Sequence, residues 1–289
     1  MSRWDIDDRR ATLYTRAYIA GMWLTRDKRA FEGAERTLRT TQKKQRAGDR
    51  PPTATTRLTT RVTQSTVDGL SVWTVRPRRG RSIARVIYLH GGGYVHPLTT
   101  DYWRLVRALA TAPAEVVVPA YPLAPQATAN DVLPRLLGLV ADAGRRDPEL
   151  PTIIMGDSAG GALALVTAQQ QRDNASPALA AVVALCPWLD ATLEDDAVAQ
   201  LEAADPMLAE SGLRAAGRWW AGARSAKDER ISPLHGDLSG LPPLEVYIGD
   251  RDILRPALDD LARRAESEGA DLRVKEIPAM YHVWMTRAP

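Results

Sequence analysis

Chemistry in this 289-residue sequence can come from four histidines, one cysteine and a serine set among glycines. The serine is Ser158, in Gly156-Asp157-Ser158-Ala159-Gly160-Gly161, directly behind the apolar run Pro151–Met155 and ahead of the helix-forming stretch GALALVTAQQQ. A G-x-S-x-G turn between a strand and a helix strains the serine backbone and lifts its hydroxyl clear of a sheet, while the flanking glycines let strand and helix pack closely. An ordinary glycine-rich corner would ask nothing of the rest of the chain. A nucleophile asks for a base to take its proton, a carboxylate to orient the base, and N–H donors for the oxyanion of the transition state.

The chain offers candidates for each part. With the order nucleophile, acid, base, only His235 and His282 follow the serine. His282, just beyond the last strand-like run, is the expected base, and His235, ahead of the strand that should deliver the acid, is expected to be structural. For the acid, Asp252 follows the strand-like Leu244–Ile248, Asp250 competes on spacing, and Asp190 lies after the preceding strand. His90-Gly91-Gly92-Gly93 follows the strand-like Ala84–Leu89 and supplies N–H groups unobstructed by side chains. Gly91, Gly92 and the N–H of Ala159 are the predicted oxyanion hole, with His90 fixing the loop rather than moving protons. Neither a dinucleotide fingerprint nor a phosphate-binding loop accompanies these glycines, which argues against a nucleotide cradle. Cys186, inside a strand-like run, reads as a buried residue rather than a nucleophile. No cofactor and no metal is called for, and Asp157 has no role in this scheme.

These residues must be held by regular elements. Strand-like runs at Ala84–Leu89, Glu115–Ala120, Thr152–Met155, Ala180–Cys186, Leu244–Ile248 and Leu272–Ile277 alternate with helical patterns near 101–112, 131–144, 158–172 and 256–268. Such alternation builds an α/β fold with a mostly parallel sheet covered by helices. Arg61–Thr66 and Leu70–Arg76, joined at Asp68-Gly69, read as an antiparallel hairpin on its edge. About eight strands are expected. Residues 4–46 carry apolar residues at helical spacing (Trp4, Ile6, Leu13, Tyr14, Ala17, Tyr18), predicting two helices before any strand, and 47–57 reads as a linker. Nearly sixty residues separate Cys186 from Leu244, more than a crossover needs. The expected organisation is N-terminal cap helices in 1–50 and a catalytic domain over 51–289 with a cap insertion at about 190–235.

Composition sets the outer bounds. Apolar residues are 45% and charged residues 25%, in the range of a soluble globular domain. The net charge of +3 comes from interspersed residues of both signs, so no nucleic-acid partner is expected. The cluster Arg76, Arg78, Arg79 and Arg81 around Gly80 reads as a solvated hairpin turn. No apolar stretch reaches membrane-span length and the first residues carry no signal-peptide pattern, so a cytoplasmic protein without stable membrane insertion is expected. The single cysteine excludes an intrachain disulfide.

Several motifs then occur together: HGGGY at 90–94, YPLAP at 121–125, GDSAGG at 156–161, GDRDIL at 249–254 and YHVW at 281–284. With them the chain resembles the hormone-sensitive-lipase-like family of α/β-hydrolase carboxylesterases, from about Arg61 to its end. The resemblance implies an α/β-hydrolase fold and places the family pattern G-x-x-D-x-L on Gly249, Asp252 and Leu254, favouring Asp252 as the acid. It implies a serine carboxylesterase acting on small to medium acyl esters or lactones, with an amidase or deacetylase on the same triad, or a non-catalytic small-ligand receptor, as the alternatives. The partner is then a small ester, and a homodimer is open. Tyr94, Trp188, Met207, Trp219, Val283 and Trp284 are the expected lining of an apolar substrate pocket.

Overall fold

The computed structural model describes residues 3–7, 11–174 and 179–287. In chain order the elements are β1 (Arg3–Ile6), α1 (Leu13–Thr25), a 3₁₀ turn (Asp27–Phe31), α2 (Ala34–Ala47), α3 (Ala54–Thr59), β2 (Thr60–Val67), β3 (Leu70–Pro77), β4 (Ala84–Leu89), α4 (Tyr102–Thr111) and β5 (Ala114–Ala120). They continue with α5 (Ala129–Arg146), β6 (Thr152–Asp157), α6 (Ala159–Asp173), β7 (Ala181–Leu185), α7 (Asp196–Glu202), α8 (Glu210–Ala221), β8 (Leu244–Gly249), α9 (Ala257–Ser267), β9 (Leu272–Ile277) and α10 (Trp284–Arg287).

Among the described residues, nine strands form one sheet in the order β1-β9-β8-β7-β6-β4-β5-β3-β2. Strands β5, β4, β6, β7, β8, β9 and β1 run parallel, and the β2–β3 hairpin adds the antiparallel edge. This is an α/β-hydrolase fold with one strand more than expected. The extra strand is β1, where the spacing of apolar residues predicts a helix. A short edge strand needs only backbone partners, and Arg3–Ile6 finds them along β9, from Arg273 to Glu276. The Trp4 indole N–H donates to Glu276 (2.9 Å), and the Arg255 guanidinium lies 5.1 Å from the Trp4 ring centre. The expected linker also holds a helix: Thr53 accepts a hydrogen bond from the Thr56 N–H (3.2 Å) and caps α3. No described helix is long and apolar enough to cross a membrane.

Strand periodicity sorts the core onto two faces. In β4, Ile87 and Leu89 pack toward α5 and α6, while Val86 and Tyr88 pack toward α4. Helix α6 is buried on all sides from Ala159 to Ala168, which explains its lack of a polar stripe. Through this core the parallel strands deliver their carboxyl ends to one edge, where crevices form in open α/β sheets.

The arginine cluster is corrected in two ways. Gly80 lies in a connection between β3 and β4, which are separated by β5 and form no hairpin. Arg76 is not merely solvated: its Nε donates to Glu115 (2.6 Å), which also accepts from the buried Arg85 (2.7 Å). Burial alone would raise the Glu115 carboxyl, but the two guanidiniums outweigh it and hold it below its ordinary 4.5. Its stabilisation is therefore complete above that ordinary value and fades as pH falls through the depressed folded one. Glu115→Ala strands the buried Arg85 and should cost about 3–5 kcal/mol in urea denaturation near neutral pH.

Candidate active site

Backbone approach builds the site before any side chain enters. Ser158 sits between β6 and α6 at φ 53° and ψ −122°, a conformation that side-chain-bearing residues seldom adopt. It is held on both sides: its N–H donates to the Leu185 carbonyl (2.8 Å), and its own carbonyl accepts from Trp188 (3.0 Å) and Ala162 (3.1 Å). A Cβ on Gly156 would lie 2.2 Å from the Gly160 carbonyl oxygen, and one on Gly160 would lie 2.1 Å from that of Leu89. Only glycine lets β4, β6 and α6 meet this closely.

His282 follows β9 and Asp252 follows β8, and both are buried. The Asp252 carboxylate accepts from His282 Nδ1 at 2.6 Å and from the Leu254 N–H at 3.0 Å. With the hydrogen on Nδ1, the neutral ring presents a bare Nε2. Burial alone would lower the imidazole, but Asp252, with Asp205 and Asp157 behind it, raises it above its ordinary 6.5. The two rival acids stand elsewhere. Asp190 accepts from the Thr192 N–H (2.8 Å) and hydroxyl and closes its own turn. Asp250 is exposed, and its N–H bonds the Ile277 carbonyl. His235 lies in a short 3₁₀ turn ahead of β8.

The glycine loop departs from expectation. The Gly91 N–H is not directed at a substrate, because it donates to Asp157 Oδ1 at 2.9 Å. Gly92 and Gly93 border the cavity in its place. His90 Nδ1 lies 2.8 Å from the Gly91 carbonyl, which can only accept, so Nδ1 carries the hydrogen. The His90 ring stacks on Tyr121 at 4.4 Å, and the Tyr121 hydroxyl donates to the His90 carbonyl. Burial lowers the His90 imidazole and favours the neutral ring.

Ser158, His282, Gly92 and Gly93 border one cavity of about 290 Å³. Its outer wall comes from the N-terminal segment and the long insertion: Phe31, Lys44, Met207, Leu208 and Leu213. These pieces meet directly, since α2 and the 3₁₀ turn both pack on α8. Of the expected pocket residues, Met207 and Val283 border the cavity. Tyr94 does not; it is buried and stacks on Trp220 (4.3 Å) and Trp188 (5.6 Å). Trp219 and Trp284 are half-buried packing residues. The rings of Phe31 and Tyr102 do border the cavity. Nor is the cavity apolar throughout, since Asp27, Lys44, Asp101 and Asp157 also border it.

One buried carboxylate escaped sequence reading. Asp205, in the insertion, accepts from the Met207 (2.7 Å), Leu208 (2.9 Å) and Ile253 (3.2 Å) N–H groups. Burial, then the nearby Asp252, raises its carboxyl to about 6. Before Pro206 it reads as a turn residue, and no local signal brings it beside Ile253. Among the described residues, one cluster has metal-ligand chemistry: Cys186, Asp252 and His282. The carboxylate and imidazole there are already bonded to each other. Burial pushes the Cys186 thiol well up, and its sulfur accepts the Val283 N–H at 3.2 Å. Such a set is unsuited to a resident metal.

Against known proteins, residues 86–286 match a family model described as the alpha/beta hydrolase fold. The chain is 32% identical over 242 residues to a triacylglycerol lipase of Mycobacterium tuberculosis, a match covering 83% of this chain and 50% of that protein. It is 31% identical over 216 residues to an acetyl-hydrolase of Streptomyces hygroscopicus, covering 73% of this chain and 71% of that one. The crystal structure of an esterase from the bacterial hormone-sensitive lipase family superposes with TM-score 0.80 at 24% identity, covering 97% of this chain and 93% of the other.

The electrostatics around the imidazole give a direct expectation. An NMR titration of the His282 ring should have its midpoint above 6.5, and Asp252→Asn should lower it.

Proposed function

The chain belongs to the hormone-sensitive-lipase-like family of α/β hydrolases, esterases and lipases, and from that premise we propose that it is a serine carboxylesterase for small to medium acyl esters. One observation carries the reading: a serine on a strained turn shares a cavity with a histidine whose Nδ1 is bonded to a buried aspartate 2.6 Å away.

In the proposed reaction Ser158 Oγ attacks the ester carbonyl while His282 Nε2 takes its proton. Asp252 holds the ring in the tautomer that leaves Nε2 bare and stabilises the imidazolium. The carbonyl oxygen becomes an oxyanion held by the N–H groups of Gly92, Gly93 and Ala159, with Gly93 replacing the Gly91 expected from sequence. Ala159 suits this task because the first N–H groups of a helix lack an intrahelical partner and carry its positive dipole end. The carbon–oxygen bond to the alcohol then breaks, the departing oxygen takes the proton from His282, and a water repeats the sequence on the acyl-enzyme.

The cavity, about 290 Å³, is at the small end for ligand sites and favours short acyl chains. We assign its outer wall to a cap made of two pieces, the helices within 1–50 and the insertion at about 190–235. The substrate is taken between cap and sheet, where water is excluded from the oxyanion.

Hydrolysis of p-nitrophenyl esters tests this reading. Butyrate should be turned over faster than palmitate. Ser158→Ala should lower kcat/KM on the order of 10⁴-fold or more, and Asp252→Asn on the order of 10⁴-fold in kcat. Cleavage of the matching anilide but not the ester would move the protein to the amidases. Full activity in Ser158→Ala would overturn the mechanism.

A further inference from the structure

The residue before the nucleophile is a buried aspartate that the proposed reaction does not use. Asp157 is 1% exposed, ends β6, and points across to the neighbouring strand's loop. Its carboxylate accepts three hydrogen bonds: from the Tyr88 hydroxyl (2.6 Å), the Gly91 N–H (2.9 Å) and the Tyr102 hydroxyl (3.1 Å). The Gly91 N–H can only donate and both hydroxyls are placed to donate, which suits a carboxylate. Burial still pushes the carboxyl up to about 6, so the protein bears a cost to keep it there.

Its nearest backbone partner is the glycine loop. A Cβ on Gly91 would lie 2.2 Å from Asp157 Oδ2 and 2.9 Å from the Asp157 carbonyl oxygen. The first glycine after His90 is therefore a glycine because Asp157 occupies the place of its side chain. Two consecutive peptides of the loop are pinned. Asp157 holds the Gly91 N–H, and His90 Nδ1–H holds the Gly91 carbonyl (2.8 Å). Peptide planarity fixes the Gly92 N–H opposite that carbonyl. The position of the first oxyanion donor thus follows from the two pins.

We propose that Asp157 is the positioning residue of the oxyanion loop: by clamping Gly91 from the residue adjoining Ser158, it sets the separation of nucleophile and oxyanion donors. The nucleophile turn and the donor loop then move as one body. This rests on the esterase reading above, since it assigns Gly92 and Gly93 to the oxyanion.

Two variants test it. Asp157→Ala removes the acceptor for the Gly91 N–H, while Asp157→Asn keeps an acceptor oxygen of the same reach. A misplaced donor weakens the transition state more than the bound ester, so the alanine variant should lose on the order of 10²-fold in kcat on p-nitrophenyl butyrate with KM within about twofold. The asparagine variant should retain most of the wild-type kcat. A second readout is the rate of Ser158 phosphonylation by a fluorophosphonate, whose phosphoryl oxygen needs the same donors. It should fall in parallel for alanine and recover for asparagine. Asp157→Ser, too short to reach Gly91, replaces alanine with the same expectation should the alanine variant not fold. Near-wild-type rates in the alanine variant would overturn the proposal, as would equal damage in both variants with equal loss of Tm, or a raised KM at unchanged kcat. If wild-type Ser158 is phosphonylated but no ester is hydrolysed, the esterase reading fails while the labelling comparison still decides the role of Asp157.

Discussion

At Ser158 three backbones converge more closely than any side chain would permit. The carbonyl of Leu89 at the end of β4, the turn at Gly156 and the first residues of α6 occupy each other's Cβ positions. The turn holds a serine at φ 53°, a conformation costing about 1–3 kcal/mol. That cost is sustained because neighbouring strands over-determine the geometry: Leu185 at the end of β7 accepts the Ser158 N–H, and Trp188 returns a bond to its carbonyl. The rest of the fold can be understood as what keeps this junction closed. The sheet brings β4, β6 and β7 side by side, and α6, buried on every side, gives the turn no room to relax.

The second layer is electrostatic. Three buried carboxylates, Asp157, Asp205 and Asp252, surround a single imidazole and together raise His282. Each is satisfied by fixed donors, at least one of them a backbone N–H, and each ties a different segment to the site. Asp252 anchors the loop after β8, Asp157 the loop after β4, and Asp205 the insertion. A buried carboxylate is expensive to leave unpaired, so each makes its loop geometry nearly obligatory. Asp205 is notable because it couples the cavity wall at Met207 and Leu208 to Ile253, next to Asp252. One carboxylate thus ties the wall to the residue that follows the proposed acid.

The cavity itself is a joint product of segments far apart in sequence. Phe31 and Lys44 come from the N-terminal part and Met207 and Leu213 from the insertion, while Gly92 and His282 belong to the sheet's loops. Close packing fixes how the outer pieces meet: a Cβ on Gly212 of α8 would lie 2.0 Å from the Phe31 carbonyl. Tyr94, Trp188 and Trp220 form a stack beneath, and their burial explains why the aromatics nearest the motifs are absent from the wall.

Local pattern determined much of this protein. The strands from Ala84 to Ile277 were legible because each is a short apolar run or, in β9, an alternating one between turn signals, and β4 and β9 fall on the expected residues. Ser158, His282 and the glycine loop were legible because each is bound to a strand end by motif. What local pattern could not decide depends on contacts between distant backbones. β1 exists because β9 offers it an open edge, Trp4 being equally at home in a helix by spacing alone. Gly93 rather than Gly91 faces the cavity because Asp157, sixty-six residues from Gly91, reaches the Gly91 N–H first. Asp205 matters only because the insertion folds back onto Ile253. Sequence carries residue type and periodicity, which fix elements and motifs; which N–H a buried carboxylate captures is a matter of a few ångströms, and only the packed chain decides it.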